Sequence, residues 1–236
     1  MRSLRAFFNI GRIAFSDGPR HASSLLLDRL AERYFERRFG LERDGQLDEV
    51  RTGPENLSYA AVPYRRFRKL LRMAQLDRSQ DVFLDFGAGK GRVLLAAATS
   101  GFRRVVGVEV SSELASIARR YVRGRANIEI VEADASVFPI PTDAGVFFFY
   151  NPFFGTVLDR VLENIRLSIK EQPRRVSLLC VVPTIASRFE WQIRQCEWLR
   201  VESTFEATDH RGIVFVPANE LTVKPSSPCT SSFPPM

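Results

Sequence analysis

The sequence predicts an α/β fold: a seven-stranded, mostly parallel sheet with helices on both faces, an antiparallel final pair and a helical N-terminal extension. Three observations carry this expectation. From Asp81 onward, short apolar segments alternate with helical ones, and the first five of these segments read as apolar on both faces, as strands covered on both sides must be. The first strand runs straight into a glycine turn and an apolar helix, VFLDFGAGKGR followed by VLLAAA. The last two β-like runs are separated only by Asp209–Arg211, a turn too short for a parallel crossover.

Taken in order, residues 1–21 are weakly patterned and end in the turn signal Asp17-Gly18-Pro19. A helix is expected after Ser23/Ser24, with Leu25, Leu26, Leu30, Tyr34, Phe35 and Phe39 at helical spacing and Gly40 as its stop. Residues 41–57 read as a long loop. Tyr59–Met73 reads as a second helix, with Pro63 either in its first turn or dividing it from the loop; Arg65, Arg66, Arg68 and Lys69 give it a basic face, expected to be solvated. Strands follow at Val82–Phe86, Arg104–Glu109, Ile128–Val131, Gly145–Tyr150 and Val176–Val182. The helices between and after them are Arg92–Ser100, Glu113–Arg123 (capped by Ser111 or Ser112), Thr156–Ile169 and Ile185–Gln195. Trp198–Ala207 and Gly212–Pro217 form the final pair. The domain organisation expected is an N-terminal helical extension (1–56), a main domain (57–220) and a Pro/Ser-rich tail (221–236) with little to bury and expected to be disordered.

Composition excludes several classes. With 45% hydrophobic and 26% charged residues the chain is an ordinary globular one. No apolar run approaches the ~18 residues needed to span a bilayer. The basic, apolar start MRSLRAFFNIGRIAF is interrupted by Arg12 and shows no small-residue cleavage site, so a cytoplasmic location is expected. Three cysteines (Cys180, Cys196, Cys229) share no metal-ligand spacing, which argues against a disulfide framework and a zinc site. His21 and His210 are too far apart in sequence to suggest a histidine-based pair. The net charge is +7 and only four of the 34 basic residues are lysine. The arginines are scattered, so a nucleic-acid partner is admitted but not favoured.

The chemistry sits at strand ends. In a parallel sheet ligands bind beyond the C-terminal ends of the strands, and glycines there admit positive φ and close approach of the ligand. Gly87, Gly89 and Gly91 are spaced G-x-G-x-G, not the G-x-G-x-x-G of dinucleotide sites, and no Gly-Lys-Ser/Thr follows, so a P-loop is excluded. Asp85 precedes the turn; a carboxylate there suits an amine-bearing or cationic ligand better than a pyrophosphate. Glu109 ends the second strand and offers two oxygens to two vicinal ribose hydroxyls. Asp134 follows the third strand and can accept from an exocyclic adenine amine.

These residues carry a resemblance. Val82–Arg92, Glu109 and Asp134 look like successive motifs of class I S-adenosylmethionine-dependent methyltransferases, whose Rossmann-like sheet has seven strands and an antiparallel last strand. The resemblance implies S-adenosyl-L-methionine as cofactor, with Gly87, Ala88, Gly89 and Gly91 around the methionine part, Asp85 near its amino group, Glu109 on the ribose and Asp134 on the adenine. Leu84–Arg92 (LDFGAGKGR) together with Tyr150–Phe153 (YNPF) is similar to a bacterial group loosely related to histone-type protein-lysine methyltransferases. In that group an upstream tyrosine packs on the cofactor, here Tyr59 or Tyr64.

The same resemblance places the methyl acceptor at Asn151, Pro152 and Phe153. Methyltransferases acting on planar nitrogens carry N-P-P-Y/F there: the Asn side chain and Pro carbonyl accept from the target NH2 and an aromatic ring stacks on it. Phe153 replaces the second proline, which weakens transfer to adenine or a glutamine amide. Phe153 and Phe154 are expected to line an acceptor pocket, and Phe147–Phe149 to be core. The expectation is N-methylation of a protein or small molecule. A catalytically inactive module that binds a protein or RNA is the alternative, and a nicotinamide-dependent oxidoreductase is disfavoured by the glycine spacing and Asp85.

Overall fold

The computed structural model describes residues 19–41, 54–56, 61–184, 187–207 and 210–218. Tyr59, Cys229, the tail 221–236 and residues 1–18 lie outside them. The elements are α1 (Pro19–Phe39), α2 (Tyr64–Met73), β1 (Val82–Phe86), α3 (Arg92–Ala98), β2 (Arg104–Glu109), α4 (Ser112–Tyr121), β3 (Ile128–Glu132), β4 (Ala144–Phe149), α5 (Gly155–Glu171), β5 (Ser177–Pro183), α6 (Arg188–Arg194), β6 (Leu199–Glu206) and β7 (His210–Pro217), with a 3₁₀ turn at Ala135–Val137.

The strands form one seven-stranded sheet in the order β3-β2-β1-β4-β5-β7-β6. β1 to β5 run parallel, and β7 inserts antiparallel between β5 and β6. The chain winds outward through β2 and β3, then returns to the other side of β1 to lay down β4 and β5. That reversal opens a crevice at the C-terminal ends of β1 and β4, where connections leave in opposite directions.

Both sheet faces are covered. Leu84, Phe86, Phe147 and Phe149 face α5 and α6; Phe83, Val105 and Phe148 face α2 and α3. The run Phe147-Phe148-Phe149 thus feeds two cores by simple strand alternation. Phe148 meets Phe67 of α2 edge-on at 5.3 Å, and Phe86 stacks on Phe149 at 5.3 Å. Each such ring contributes about 2 kcal/mol through burial. Ser111 caps α4, its Oγ accepting from Leu114 N at 3.3 Å, and Ser187 caps α6, accepting from Glu190 N at 3.2 Å.

Four expectations change. β3 is only partly buried, because it is a sheet edge with α4 as its main cover. α2 starts at Tyr64 and not at Tyr59, with Pro63 dividing it from the loop, the second of the two places expected for this proline. α1 begins at Pro19, where a proline is accommodated in a first turn. Its apolar positions also do not share one face: Phe35 is buried against Tyr64 and Phe39, whereas Leu26, Leu30 and Tyr34 are exposed. The reason is electrostatic. Asp28, Glu32 and Glu36 occupy the inward face at i, i+4 spacing. Asp28 pairs with Arg65 and Arg66 at 2.7 and 2.8 Å, and Glu32 and Glu36 pair with Arg92. Arg65 and Arg66 are therefore ion-paired, Arg66 being buried, while Arg68 and Lys69 remain exposed as expected.

Candidate active site

The crevice is an open cleft of about 180 Å3. Asp85, Gly87, Ala88, Gly89, Glu109 and Asp134 line one end; Tyr150, Asn151, Pro152 and Phe153 line the other. Residues from four successive strand ends are thereby brought together.

The end at the glycine turn is shaped by backbone. Gly87 N and Ala88 N both donate to Val108 O, at 2.9 and 3.0 Å, which folds the turn across β2. Gly87, Gly89 and Gly91 all have positive φ. A Cβ on Gly87 would stand 2.9 Å from Pro152 Cβ, so this glycine lets the two ends of the cleft meet. Gly91 does not line the cleft. It precedes α3 and packs on α4, where an added Cβ would lie 3.1 Å from that of Ala118.

Glu109 is buried, and both its oxygens are engaged. Oε2 accepts from Gly89 N at 2.8 Å and Oε1 from Ser111 N at 2.9 Å. Each oxygen keeps a second lone pair for an incoming hydroxyl. Asp85, 2% exposed, makes no side-chain hydrogen bond to the described residues. Burial, and then the neighbouring Glu109, push its carboxyl well above the usual range. Asp134 is exposed and uses one oxygen to cap the 3₁₀ turn, accepting from Ser136 N at 2.8 Å.

The opposite end, at Asn151–Phe153, is held by distant side chains. Asn151 has φ 44°, the left-handed region, where asparagine is tolerated at a cost. Its Oδ1 accepts from the Ser187 hydroxyl at 2.7 Å, so the oxygen that the resemblance assigns to a target NH2 already has one partner. Phe153 lines the cleft but is 5% exposed and packs edge-on against Phe149 at 6.3 Å, bracing the pocket wall. Phe154 is absent from the cleft lining: its ring lies under the Arg188 guanidinium. Glu55 accepts from Thr156 Oγ1 and Val157 N, at 2.8 and 3.0 Å, closing the first turn of α5. Burial works to raise the Glu55 carboxyl, but these hydrogen bonds outweigh it and hold it below its ordinary value. Gln192 clamps Gly155 from both sides, its Oε1 accepting from Gly155 N at 2.7 Å and its Nε2 donating to Gly155 O at 2.8 Å.

Two contributors were not among the sequence candidates. Arg92, directly after the third glycine, lines the cleft. His210 lies 2.8 Å from the Tyr150 hydroxyl, Nε2 to Oη. Arg92 was within reach of sequence reasoning because it sits in the motif. His210 was not, since only the insertion of β7 beside β5, pairing Pro183 with His210, brings it to the site edge. Among the described residues no cluster of metal-ligating side chains occurs, and no helix is long and apolar enough to cross a membrane.

Residues 83–172 match a family model described as a methyltransferase domain. A comparison with curated protein sequences returned no match. Among solved structures, the chain resembles an RNA methyltransferase from Salinibacter ruber in complex with S-adenosyl-L-homocysteine, at 19% identity over 71% of this chain and 100% of that one, with a TM-score of 0.53. A ribosomal protein L11 methylase from Lactobacillus delbrueckii subsp. bulgaricus matches at 12% identity over 66% and 78% of the two chains, TM-score 0.52. The mitomycin 7-O-methyltransferase MmcR matches at 19% over 66% and 54%, TM-score 0.51. At these identities the structures share the fold alone, and by their names they act on three different acceptor classes. The sheet order with its antiparallel β7 and the D-x-G-x-G-x-G turn accord with the methyltransferase-domain model that residues 83–172 match. The methyl donor of such an enzyme is S-adenosyl-L-methionine.

Proposed function

We propose that the protein is an S-adenosylmethionine-dependent N-methyltransferase whose acceptor is a protein or small-molecule amine. The observation that carries this reading is the contrast along one cleft. Asp85, Glu109 and Asp134 gather at one end, while the other is lined by Val62, Tyr150, Asn151, Pro152, Phe153 and Val157, with no carboxylate among them. The acidic end suits the cofactor: Glu109 for the ribose, Asp134 for the adenine, Asp85 for the ammonium, and the Gly87–Gly89 backbone for the methionine stem. The uncharged, aromatic end suits a nitrogen that must be neutral to react, because desolvation lowers an amine's pKa.

Bound S-adenosylmethionine would supply a methyl group on a positively charged sulfur, a donor already activated for in-line displacement by a neutral nitrogen. The protein positions the two partners and excludes water. The Tyr150 hydroxyl and His210 imidazole form a contact pair beside this end, through which a proton from the acceptor can leave. The intact cleft speaks against the catalytically inactive alternative.

Calorimetry tests the reading. The protein should bind S-adenosylhomocysteine, and Gly87→Val should abolish binding while far-UV circular dichroism stays unchanged. Methyl-labelled cofactor incubated with a fractionated cell extract should then label protein or small molecules. Absence of binding by the folded wild-type chain overturns the proposal, and label confined to RNA replaces its acceptor.

A further inference from the structure

Among the described residues lining the cleft, three are carboxylates near the cofactor end, and the one cation is Arg92. The methionine part of the cofactor brings a carboxylate of its own into this acidic surround. An anion moved out of water needs a cationic partner, and a guanidinium suits a carboxylate best. Arg92 is not idle in the ligand-free protein. One terminal nitrogen pairs with Glu32 and the other approaches Glu36 at 3.6 Å, both on α1. Its guanidinium lies over the Phe35 ring at 5.1 Å. Its buried Nε–H finds no acceptor among the described residues. Two carboxylates thus share one cation at the lip of a cleft whose ligand carries a third.

Resting on the cofactor reading above, we propose that Arg92 receives the carboxylate of the methionine moiety, and that Glu32 and Glu36 of α1 compete with that carboxylate for it. Cofactor loading and the docking of the N-terminal helix are then coupled, and the coupling is reciprocal. α1 acts as a built-in brake on the cofactor site. Glu32 is the tighter tie, since its second oxygen also accepts from Tyr64 N at 2.5 Å, the first residue of α2. Glu36 is the looser one and the better place to probe the competition.

The test is calorimetry on the full chain with two ligands, S-adenosylhomocysteine and its decarboxylated analogue, which keeps the amine. Wild-type protein should bind the analogue at least about tenfold more weakly. Arg92→Gln should weaken S-adenosylhomocysteine by a similar factor and leave the analogue within about twofold. Glu36→Gln, which removes the longer of the two ion pairs, should tighten S-adenosylhomocysteine about threefold and leave the analogue unchanged. Equal wild-type affinity for the two ligands, equal loss of both in Arg92→Gln, or unchanged or weaker S-adenosylhomocysteine binding in Glu36→Gln overturns the proposal. Wild-type protein that binds neither ligand overturns the cofactor reading itself, an outcome distinct from equal binding of both.

Discussion

The two ends of the cleft are built by different means. At the end formed by β1, β2 and β3, the parts are close in sequence and the fixing groups are backbone: two amides of the glycine turn on Val108 O, two amides on Glu109. At the end formed by β4 and β5, the chain between Asn151 and Val157 is held by side chains from far away, Glu55, Ser187 and Gln192. The first end is a conformation written into one motif. The second is an assembly that needs the whole sheet in place before it exists.

Mutations can break this contrast or sharpen it. The largest effect is expected at Glu109. Glu109→Ala leaves two backbone N–H groups without their carboxylate and should cost about 3 kcal/mol of unfolding free energy in urea titrations, together with loss of S-adenosylhomocysteine binding. Gln192→Ala strips both hydrogen bonds from Gly155 and the one to Asp159 Oδ1 at 2.6 Å. It should cost about 2 kcal/mol by the same measurement, yet leave S-adenosylhomocysteine affinity within about twofold. A comparable loss of affinity in both variants would show that the ends do not act separately.

Asp85 should behave in the opposite sense for stability. Its carboxyl is raised in the folded protein, so the native state keeps a proton that the unfolded state has released. Stability therefore falls as pH rises from about 4 through the raised value and is level above it. Asp85→Asn should remove that fall, leaving the ligand-free variant more heat-stable than wild type at pH 8, while weakening S-adenosylhomocysteine about tenfold by loss of the ammonium's partner. Below the raised value, binding to wild type should release protons, which calorimetry in buffers of different ionisation enthalpy reads directly. The smallest effect is expected at the sheet edge. Arg104 and Glu129 pair at 2.7 Å but are largely solvated, and Arg104→Ala should cost no more than about 0.5 kcal/mol.

The same contrast explains what was legible in the sequence. The sheet, its parallel core and its antiparallel pair followed from strand–helix alternation and from a turn too short for a crossover. The glycine-turn end of the cleft was legible because glycine conformation and a strand-end acid are local properties. The end at Asn151–Phe153 was only half legible. Asn151-Pro152 marked a turn, but nothing near it in sequence announces Ser187 as its partner, or that Phe154 turns away under Arg188. The inward stripe of Asp28, Glu32 and Glu36 is illegible in the sequence for a related reason. At helical spacing it reads as a solvated face until Arg65, Arg66 and Arg92 are known to stand opposite.

One contact has a meaning for the order in which the protein acquires its shape. Glu55 closes the first turn of α5 from 101 and 102 residues away, and next to it Asn56 forms an antiparallel bridge with Phe153. Local helices and the β1–α3–β2 unit can form while that length of chain is still free. The Glu55 closure, among the most non-local contacts of the site, belongs late in folding, on the native side of the barrier. Interactions made there govern how fast a protein comes apart more than how fast it assembles. The half-life of the folded turn at the start of α5 is thus set by a glutamate a hundred residues upstream of it.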